Sequence, residues 1–191
     1  MAEGVFRNVA ASRPSLIAEI DSSGTGAYHA GDTPDSRTMS TLRRHGITDY
    51  NHFAQKITKE HFLAHDYLIA MDHWNLSELL EQRESVLASC KSGNVPPAAS
   101  SRGTKGAKGT TTTTRAASAA AFAGAAEGRT KVAEVRLFGD FQPGGKVHNR
   151  IGGGEVVHDP YYGGSNGFEE VYQQVTRFSK NFLDYLEKTT T

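Results

Sequence analysis

The sequence is poor in the features that would place it in several large classes of protein. Its 191 residues include one cysteine, Cys90, so an internal disulfide framework is excluded and a reducing compartment is favoured. It contains no run of about 18 apolar residues, which a membrane span would require. Lys plus Arg and Asp plus Glu both total 21, so the overall charge gives no argument for nucleic-acid binding. We therefore expect one cytoplasmic domain, without a membrane or nucleic-acid partner.

The hydrophobic content of 37% is low for a globular chain, and the deficit is local. Residues 91–130 consist largely of Gly, Ala, Ser, Thr and Pro, and positions 91 to 131 hold seven basic residues against one acidic residue. Such a segment cannot bury enough apolar surface to offset roughly 1 to 2 kcal/mol of backbone entropy per residue. We predict a disordered, low-complexity, basic insertion at 91–130 that divides one domain into residues 1–90 and 131–191.

Outside this insertion, short apolar strands alternate with amphipathic helices. The predicted strands are residues 16–21, 67–71 and 132–138. The predicted helices open the chain at Met1, begin near Asp35, Thr58 and Asp72, and close the chain over residues 168–186. Alternation of this kind predicts an α/β fold in which helices cover both faces of a parallel sheet.

The first helix lacks a visible beginning. Met1, Val5 and Val9 already form one apolar face, yet no Ser, Thr, Asp or Asn precedes them as a cap. No strand precedes this helix either, although each helix of such a sheet is expected to follow a strand.

Four strings of residues, in this order and spacing, resemble the low-molecular-weight protein-tyrosine phosphatase family. They are residues 1–6 (MAEGVF), 21–28 (DSSGTGAY), 71–76 (MDHWNL) and 159–164 (DPYYGG). The resemblance covers nearly the whole chain outside the insertion. It implies a small parallel-sheet, doubly wound, three-layer fold of the phosphotyrosine protein phosphatase I type.

The resemblance also implies a reaction and its residues. Members of the family hydrolyse phosphotyrosine through a cysteinyl-phosphate intermediate, without a metal or organic cofactor. Asp159 matches the family's general acid and base, and Tyr28, Tyr161 and Tyr162 match the aromatic wall around the substrate ring. The implied substrates are phosphotyrosine proteins or small aryl phosphates.

In the family, the first, central strand ends in a Cys-x5-Arg phosphate loop, which leads into the helix that opens this chain. The sequence begins immediately after that loop, so we expect the strand, the nucleophile and the phosphate-binding arginine to be missing. Cys90 does not replace them, because Pro96 stands where the motif requires arginine. His61 and His65 share a helical spacing, but Phe62 replaces the glutamate of a zinc-protease motif, so we predict no metal site.

Two explanations fit the missing loop: an N-terminally truncated phosphatase, or a non-catalytic pseudophosphatase that acts as a binding or regulatory module. Loss of about four apolar side chains with a central strand costs about 6 to 12 kcal/mol, whereas a whole domain is stable by about 5 to 15 kcal/mol. A natural pseudophosphatase is therefore expected to keep the strand. This reasoning favours truncation at an internal methionine, with a chain that is inactive as written.

Overall fold

A computed structural model describes residues 1–26, 29–92, 131–162 and 166–190. Five helices occur in these ranges: α1 (Ala2–Ala10), α2 (Ser36–Arg44), α3 (Lys59–Ala64), α4 (His73–Lys91) and α5 (Gly167–Thr190). Four strands accompany them: β1 (Tyr67–Ala70), β2 (Glu134–Leu137), β3 (Phe141–Gln142) and β4 (Lys146–Val147). A 3-10 turn, Pro160–Tyr162, precedes α5.

The sheet is small and parallel, as the alternation of elements predicted. β1 pairs with β2 in parallel, from Tyr67 opposite Glu134 to Ala70 opposite Leu137. β3 and β4 form a separate antiparallel hairpin, whose turn contains Gly144 with a positive φ of 72°. The sequence indicated only a glycine-rich loop at this hairpin. The chain therefore has an α/β fold, and the predicted fold class is confirmed.

Helices cover the two faces of the sheet through two apolar clusters. The first cluster packs α1, α2 and α5 together, and Phe182 of α5 lies 5.6 Å from Phe6 and 4.5 Å from Phe141 between ring centroids. The second cluster packs α3 and α4 against β1 and β2, with Phe62 fully buried. Ile69 packs on the first cluster and Leu68 on the second, as expected for neighbouring side chains that point to opposite faces.

Most predicted helix starts are confirmed because their caps are local. The Oδ1 atom of Asp35 accepts the backbone N–H of Arg37 at 2.7 Å, and the Oδ1 atom of Asp72 accepts that of Asn75 at 2.7 Å. Thr58 precedes α3, as predicted. No side chain in the described residues caps α1, which begins after Met1.

The prediction of a strand at residues 16–21 is wrong for the structure. Although the segment is apolar, no strand forms there. A strand requires a neighbouring chain for its backbone hydrogen bonds, and β1 pairs with β2 alone among the strands of the described ranges. The nearest ladder-like contact is a single parallel bridge between Gly24 and Lys56.

Two further expectations concern the insertion and the membrane. The predicted start of the insertion at residue 91 is wrong, because Lys91 is the last residue of α4 and Ser92 is its C-cap. The rest of the predicted insertion, residues 93–130, lies outside the described residues. Among the helices that the structure describes, none has the length and apolar character needed to cross a membrane.

Candidate active site

The loops that follow β1 and β4 meet at one edge of the parallel sheet. Met71 follows β1, and its carbonyl oxygen accepts the backbone N–H of Val157 at 2.8 Å. Two residues beyond Val157, the exposed carboxylate of Asp159 accepts the N–H of Tyr161 through Oδ1 at 2.9 Å. This bond fixes the carboxylate to the start of the 3-10 turn. Because the carboxyl ends of parallel strands are the usual position of ligand sites in open α/β sheets, this edge is the first candidate site.

A polar cluster lies at the N-terminal turn of α1. Glu3 is only 5% exposed, and its Oε2 atom accepts hydrogen bonds from the Ser22 hydroxyl at 2.6 Å and the Tyr50 hydroxyl at 3.3 Å. The Nδ1 atom of His52 lies 3.1 Å from the same oxygen, and the Nε atom of Arg7 lies 2.8 Å from Oε1. These hydrogen bonds and ion pairs allow the Glu3 carboxylate to remain buried, because a buried charge is costly unless it is paired and hydrogen-bonded.

The cluster joins three separate segments of chain around the start of α1. Burial is the larger cause, and the nearby charge of Glu3 the smaller cause, of a raised pKa of the Tyr50 hydroxyl.

Glu3, Asp21 and His52 each place one possible metal-ligand atom within 4.8 Å of the other two, and they are the one such set among the described residues. These ligand atoms are already engaged within the protein, since Asp21 also accepts from Gln55 and from the N–H of Ser22. The cluster is therefore a structural network at the N-terminus of α1.

Arg37 links α2 to the turn that carries Asp159. Its Nε and Nη2 atoms donate to Oδ1 and Oδ2 of Asp35 at 3.1 and 2.8 Å, which lowers the pKa of Asp35 to about 2. The guanidinium carbon lies 4.8 Å from the ring centroid of Tyr161 and 4.6 Å from that of Phe168. The hydrogen bond to Asp35, and to a smaller extent the charge of Asp159, raise the pKa of Arg37.

Comparison with known proteins gives the family. The sequence profile described as "Low molecular weight phosphotyrosine protein phosphatase" matches residues 1–91. A protein of that name from Schizosaccharomyces pombe is 33% identical over 185 residues, which cover 96% of this chain and 85% of the relative. The chain belongs to the low molecular weight phosphotyrosine protein phosphatase family. Another protein of the same name, from Saccharomyces cerevisiae, is 30% identical over 186 residues, covering 96% of this chain and 84% of the relative.

Solved structures show the same fold. A protein tyrosine phosphatase from Entamoeba histolytica has a TM-score of 0.61 at 22% identity, covering 100% of this chain and 89% of that one. A Drosophila arginine phosphatase has a TM-score of 0.63 at 21% identity, covering 96% of this chain and 87% of that one. The predicted membership of the phosphatase family is thus confirmed, and these more distant structures support its fold.

The residues that the family resemblance singled out lie in different parts of the structure. Asp159 and Tyr161 lie together at the carboxyl edge of β1, where Tyr161 is 58% exposed. The backbone of Tyr162 completes the same 3-10 turn. Tyr28 lies outside the described residues. Cys90 is half-buried near the C-terminal end of α4, about 25 Å along the helix axis from the edge where α4 begins.

Reading the sequence did not identify the roles of Glu3, His52 or Arg37. A glutamate in the first turn of an amphipathic helix is expected on the solvent side, and periodicity does not show that Ser22 and His52 fold over it. The only local signal for Arg37 is Asp35, two residues earlier at the start of a helix. Its contact with Phe168 joins positions 131 residues apart and needed the three-dimensional structure.

Two exposed apolar side chains adjoin this edge of the phosphatase fold. Trp74, in the first turn of α4, is 72% exposed. Ile151 is also exposed, and the neighbouring Gly152 lies against Leu76 and His73 of that turn. Single exposed apolar side chains are normal on protein surfaces, so their exposure alone assigns no role to these two residues.

Proposed function

We propose that this chain provides the acid and aromatic parts of a protein-tyrosine phosphatase that acts on phosphotyrosine proteins and small aryl phosphates. The observation that carries the proposal is the place of Asp159, an exposed carboxylate at the carboxyl edge of β1 in a chain of the low molecular weight phosphatase family. In the proposed reaction, a cysteine thiolate attacks phosphorus and the bond to the phenolic oxygen breaks. Asp159 gives its proton to the departing phenolate.

The same carboxylate serves the second step. After it has lost its proton, Asp159 accepts a proton from water, whose oxygen attacks the phosphorus of the cysteinyl phosphate. The thiolate leaves and inorganic phosphate is released, so the acid is restored for the next cycle. We assign the ring-binding slot to Tyr28, Tyr161 and Tyr162. The exposed ring of Tyr161 beside Asp159 supports this assignment.

The thiolate and the phosphate-binding arginine belong, in this proposal, to a Cys-x5-Arg loop ahead of Met1. The first turn of α1 supports this position, because no described side chain caps its N–H groups and a helix N-terminus favours an anion. Cys90 is the one thiol of the chain and lies near the other end of α4. We therefore propose that the chain as given does not catalyse the reaction alone.

The domain arrangement belongs to the same proposal. Residues 1–92 and 131–191 form two parts of one phosphatase domain, and the basic segment 93–130 is an insertion between them. The parallel pairing of β1 with β2 supports this, since the two strands come from the two parts. We also propose a cytoplasmic location, which suits a chain with a single cysteine.

The test compares the chain as given with a longer protein in which the strand and Cys-x5-Arg loop of a family member precede Met1. We expect only the longer protein to hydrolyse phenyl phosphate. In it, Asp159→Asn is expected to lower kcat/KM by about 10²- to 10⁴-fold, the usual contribution of a positioned acid. Asp49→Asn, at an exposed position, serves as the matched control.

Three outcomes would contradict the proposal. One is equal hydrolysis by both proteins, and another is an Asp159→Asn variant as active as the Asp49→Asn control. The third is phosphotyrosine-peptide binding by the chain as given together with no hydrolysis by the longer protein, which would favour the non-catalytic binding module.

A further inference from the structure

We infer that Arg37 is a positioning residue that holds the turn carrying Asp159 against the first turn of α5. Arg37 acts through Tyr161 and Phe168, and its described hydrogen bonds go to Asp35. The inference rests on the proposed role of Asp159 as the acid.

The guanidinium of Arg37 is held in place from its own helix. Asp35 caps α2 by accepting the backbone N–H of Arg37, and the same carboxylate accepts two hydrogen bonds from the guanidinium. Two parallel bonds from an arginine fork to a carboxylate fix both the position and the plane of the side chain. Arg37 therefore does not have to lose further side-chain freedom in order to hold its aromatic neighbours.

The two rings beside this guanidinium belong to two different elements. Tyr161 lies in the 3-10 turn and Phe168 in the first turn of α5, at 4.8 and 4.6 Å from the guanidinium carbon to the ring centroids. Both distances are within the range of cation–π attraction. One cation thus attracts both elements at the same point. The turn and the helix are also close elsewhere, because a Cβ atom added to Gly167 would lie 3.6 Å from Pro160.

The position of Tyr161 controls the position of the acid. The N–H of Tyr161 donates to Oδ1 of Asp159, so a displacement of the turn also displaces the carboxylate. An acid must lie within hydrogen-bond reach of the leaving oxygen in order to protonate it. If Arg37 is lost, the carboxylate should remain present and ionisable but occupy the productive position less often.

The first test uses the full chain as it exists and needs no catalysis. Amide hydrogen exchange at Tyr161 and Phe168, followed by nuclear magnetic resonance, is compared in Arg37→Met, Arg37→Lys and Arg43→Met. Arg43 is an exposed residue of the same helix and is the matched control. We expect exchange about tenfold faster in Arg37→Met, a smaller change in Arg37→Lys, and no change in the control.

The second test uses the longer protein, with the Cys-x5-Arg loop ahead of Met1. Phenyl phosphate has a poor leaving group that needs the acid, whereas p-nitrophenyl phosphate has a good one that needs it much less. We expect Arg37→Met to lower kcat/KM for phenyl phosphate about tenfold more than for p-nitrophenyl phosphate. General damage to the fold would lower both values equally.

The outcomes of the two tests separate this inference from the proposed function. If exchange at Tyr161 and Phe168 is the same in Arg37→Met and Arg43→Met, the inference is overturned even when the longer protein is active. Equal losses for the two substrates would also overturn it. If the longer protein hydrolyses neither substrate, the proposed function fails, and the exchange measurement still decides whether Arg37 holds the turn.

Discussion

The backbone N–H of Val157 donates to the carbonyl oxygen of Met71 at 2.8 Å, and this bond joins the two loops of the candidate site. On one side, Met71 is followed by Asp72, which caps α4. On the other side, Val157 is followed two residues later by Asp159. The acid is thus attached to the end of β1 and the start of a 19-residue helix, both of which are held by the second apolar cluster. A rigid support of this kind is what a proton donor requires, because its position relative to the leaving group sets its efficiency.

Replacement of Glu3 by glutamine is expected to destabilise the fold. The buried carboxylate accepts hydrogen bonds from Ser22 and Tyr50 and pairs with His52 and Arg7. Glutamine keeps the shape but loses the charge and replaces one acceptor by a donor, so we expect a loss of about 1 to 3 kcal/mol. Urea unfolding followed by circular dichroism measures the change.

The matched control for Glu3→Gln is Glu19→Gln, at an exposed position. Exposed substitutions of this type usually change stability by less than about 0.5 kcal/mol. If Glu3→Gln were as mild as the control, the polar cluster at the start of α1 would not stabilise the chain.

Asp140→Asn is expected to be more damaging than its conservative chemistry suggests. Asp140 is fully buried, and its carboxylate accepts the backbone N–H groups of Leu137, Gly152 and Gly154 at 3.2, 2.8 and 2.9 Å. An amide nitrogen in place of one oxygen turns towards N–H donors and leaves them unpaired. We expect a loss of about 3 kcal/mol in the free energy of unfolding.

The comparison for Asp140→Asn is Asp66→Asn, because the Asp66 carboxylate forms an exposed ion pair with Lys131. Exposed pairs contribute about 1 kcal/mol or less. Similar losses in the two variants, measured by urea unfolding, would show that the three hydrogen bonds to Asp140 contribute little.

The elements that could be predicted from the sequence are those specified by neighbouring residues. Asp35 and Asp72 are followed by helical periodicity, and the apolar run 67–71 is short enough for a buried strand. Each of these signals needs only a few consecutive residues. The resemblance to the phosphatase family added Asp159 and Tyr161, which the fold then places in one turn.

The features that could not be predicted depend on distant parts of the chain. Residues 16–21 have the composition of a strand, but a strand forms only beside a partner, and sequence pattern does not reveal whether one is available. The burial of Glu3 depends on Ser22 and His52, from two other segments. The role of Arg37 depends on a ring in α5. Contacts of this kind leave no periodic signal.

Trp74 should report solvent exposure at the edge of the site through its fluorescence, and its replacement should hardly change stability. It is the one tryptophan of the chain and is 72% exposed, so we expect its fluorescence in the folded protein to be quenched by acrylamide almost as strongly as in the unfolded chain. Trp74→Phe should change stability by less than about 0.5 kcal/mol. Strong protection from acrylamide in the folded chain would show that another part of the chain, or a second molecule, covers this side chain.

Asp35→Asn is expected to change how stability depends on pH. The hydrogen bonds from Arg37 lower the pKa of Asp35 from 3.8 to about 2, so its ionised form is favoured by folding. That contribution is complete above about pH 5 and is lost progressively as the pH falls from about 5 to about 1. The midpoint of thermal unfolding should therefore fall less between pH 5 and 3 in Asp35→Asn than in the unchanged chain.

An exposed acid provides the control for this pH dependence. Asp49→Asn removes a carboxylate outside any described ion pair. The midpoint of thermal unfolding of this variant should fall between pH 5 and 3 by the same amount as that of the unchanged chain. If the midpoint of Asp35→Asn also falls by the same amount as that of the unchanged chain, the pairing of Asp35 with Arg37 does not persist in solution.

Two glycines offer a matched test of the packing behind the site. Gly144 and Gly152 both have positive φ angles, 72° and 74°, so alanine at either position carries the cost of left-handed backbone, about 1 kcal/mol. A Cβ atom at Gly144 would meet nothing within 4 Å, whereas one at Gly152 would lie 2.6 Å from Cδ2 of Leu76. Overpacking of a core contact adds about 1 to 3 kcal/mol, so Gly152→Ala should be less stable than Gly144→Ala by that amount. Equal stabilities in urea unfolding would mean that the loop before Asp159 moves away from α4 without cost, and that this contact does not help to fix the acid.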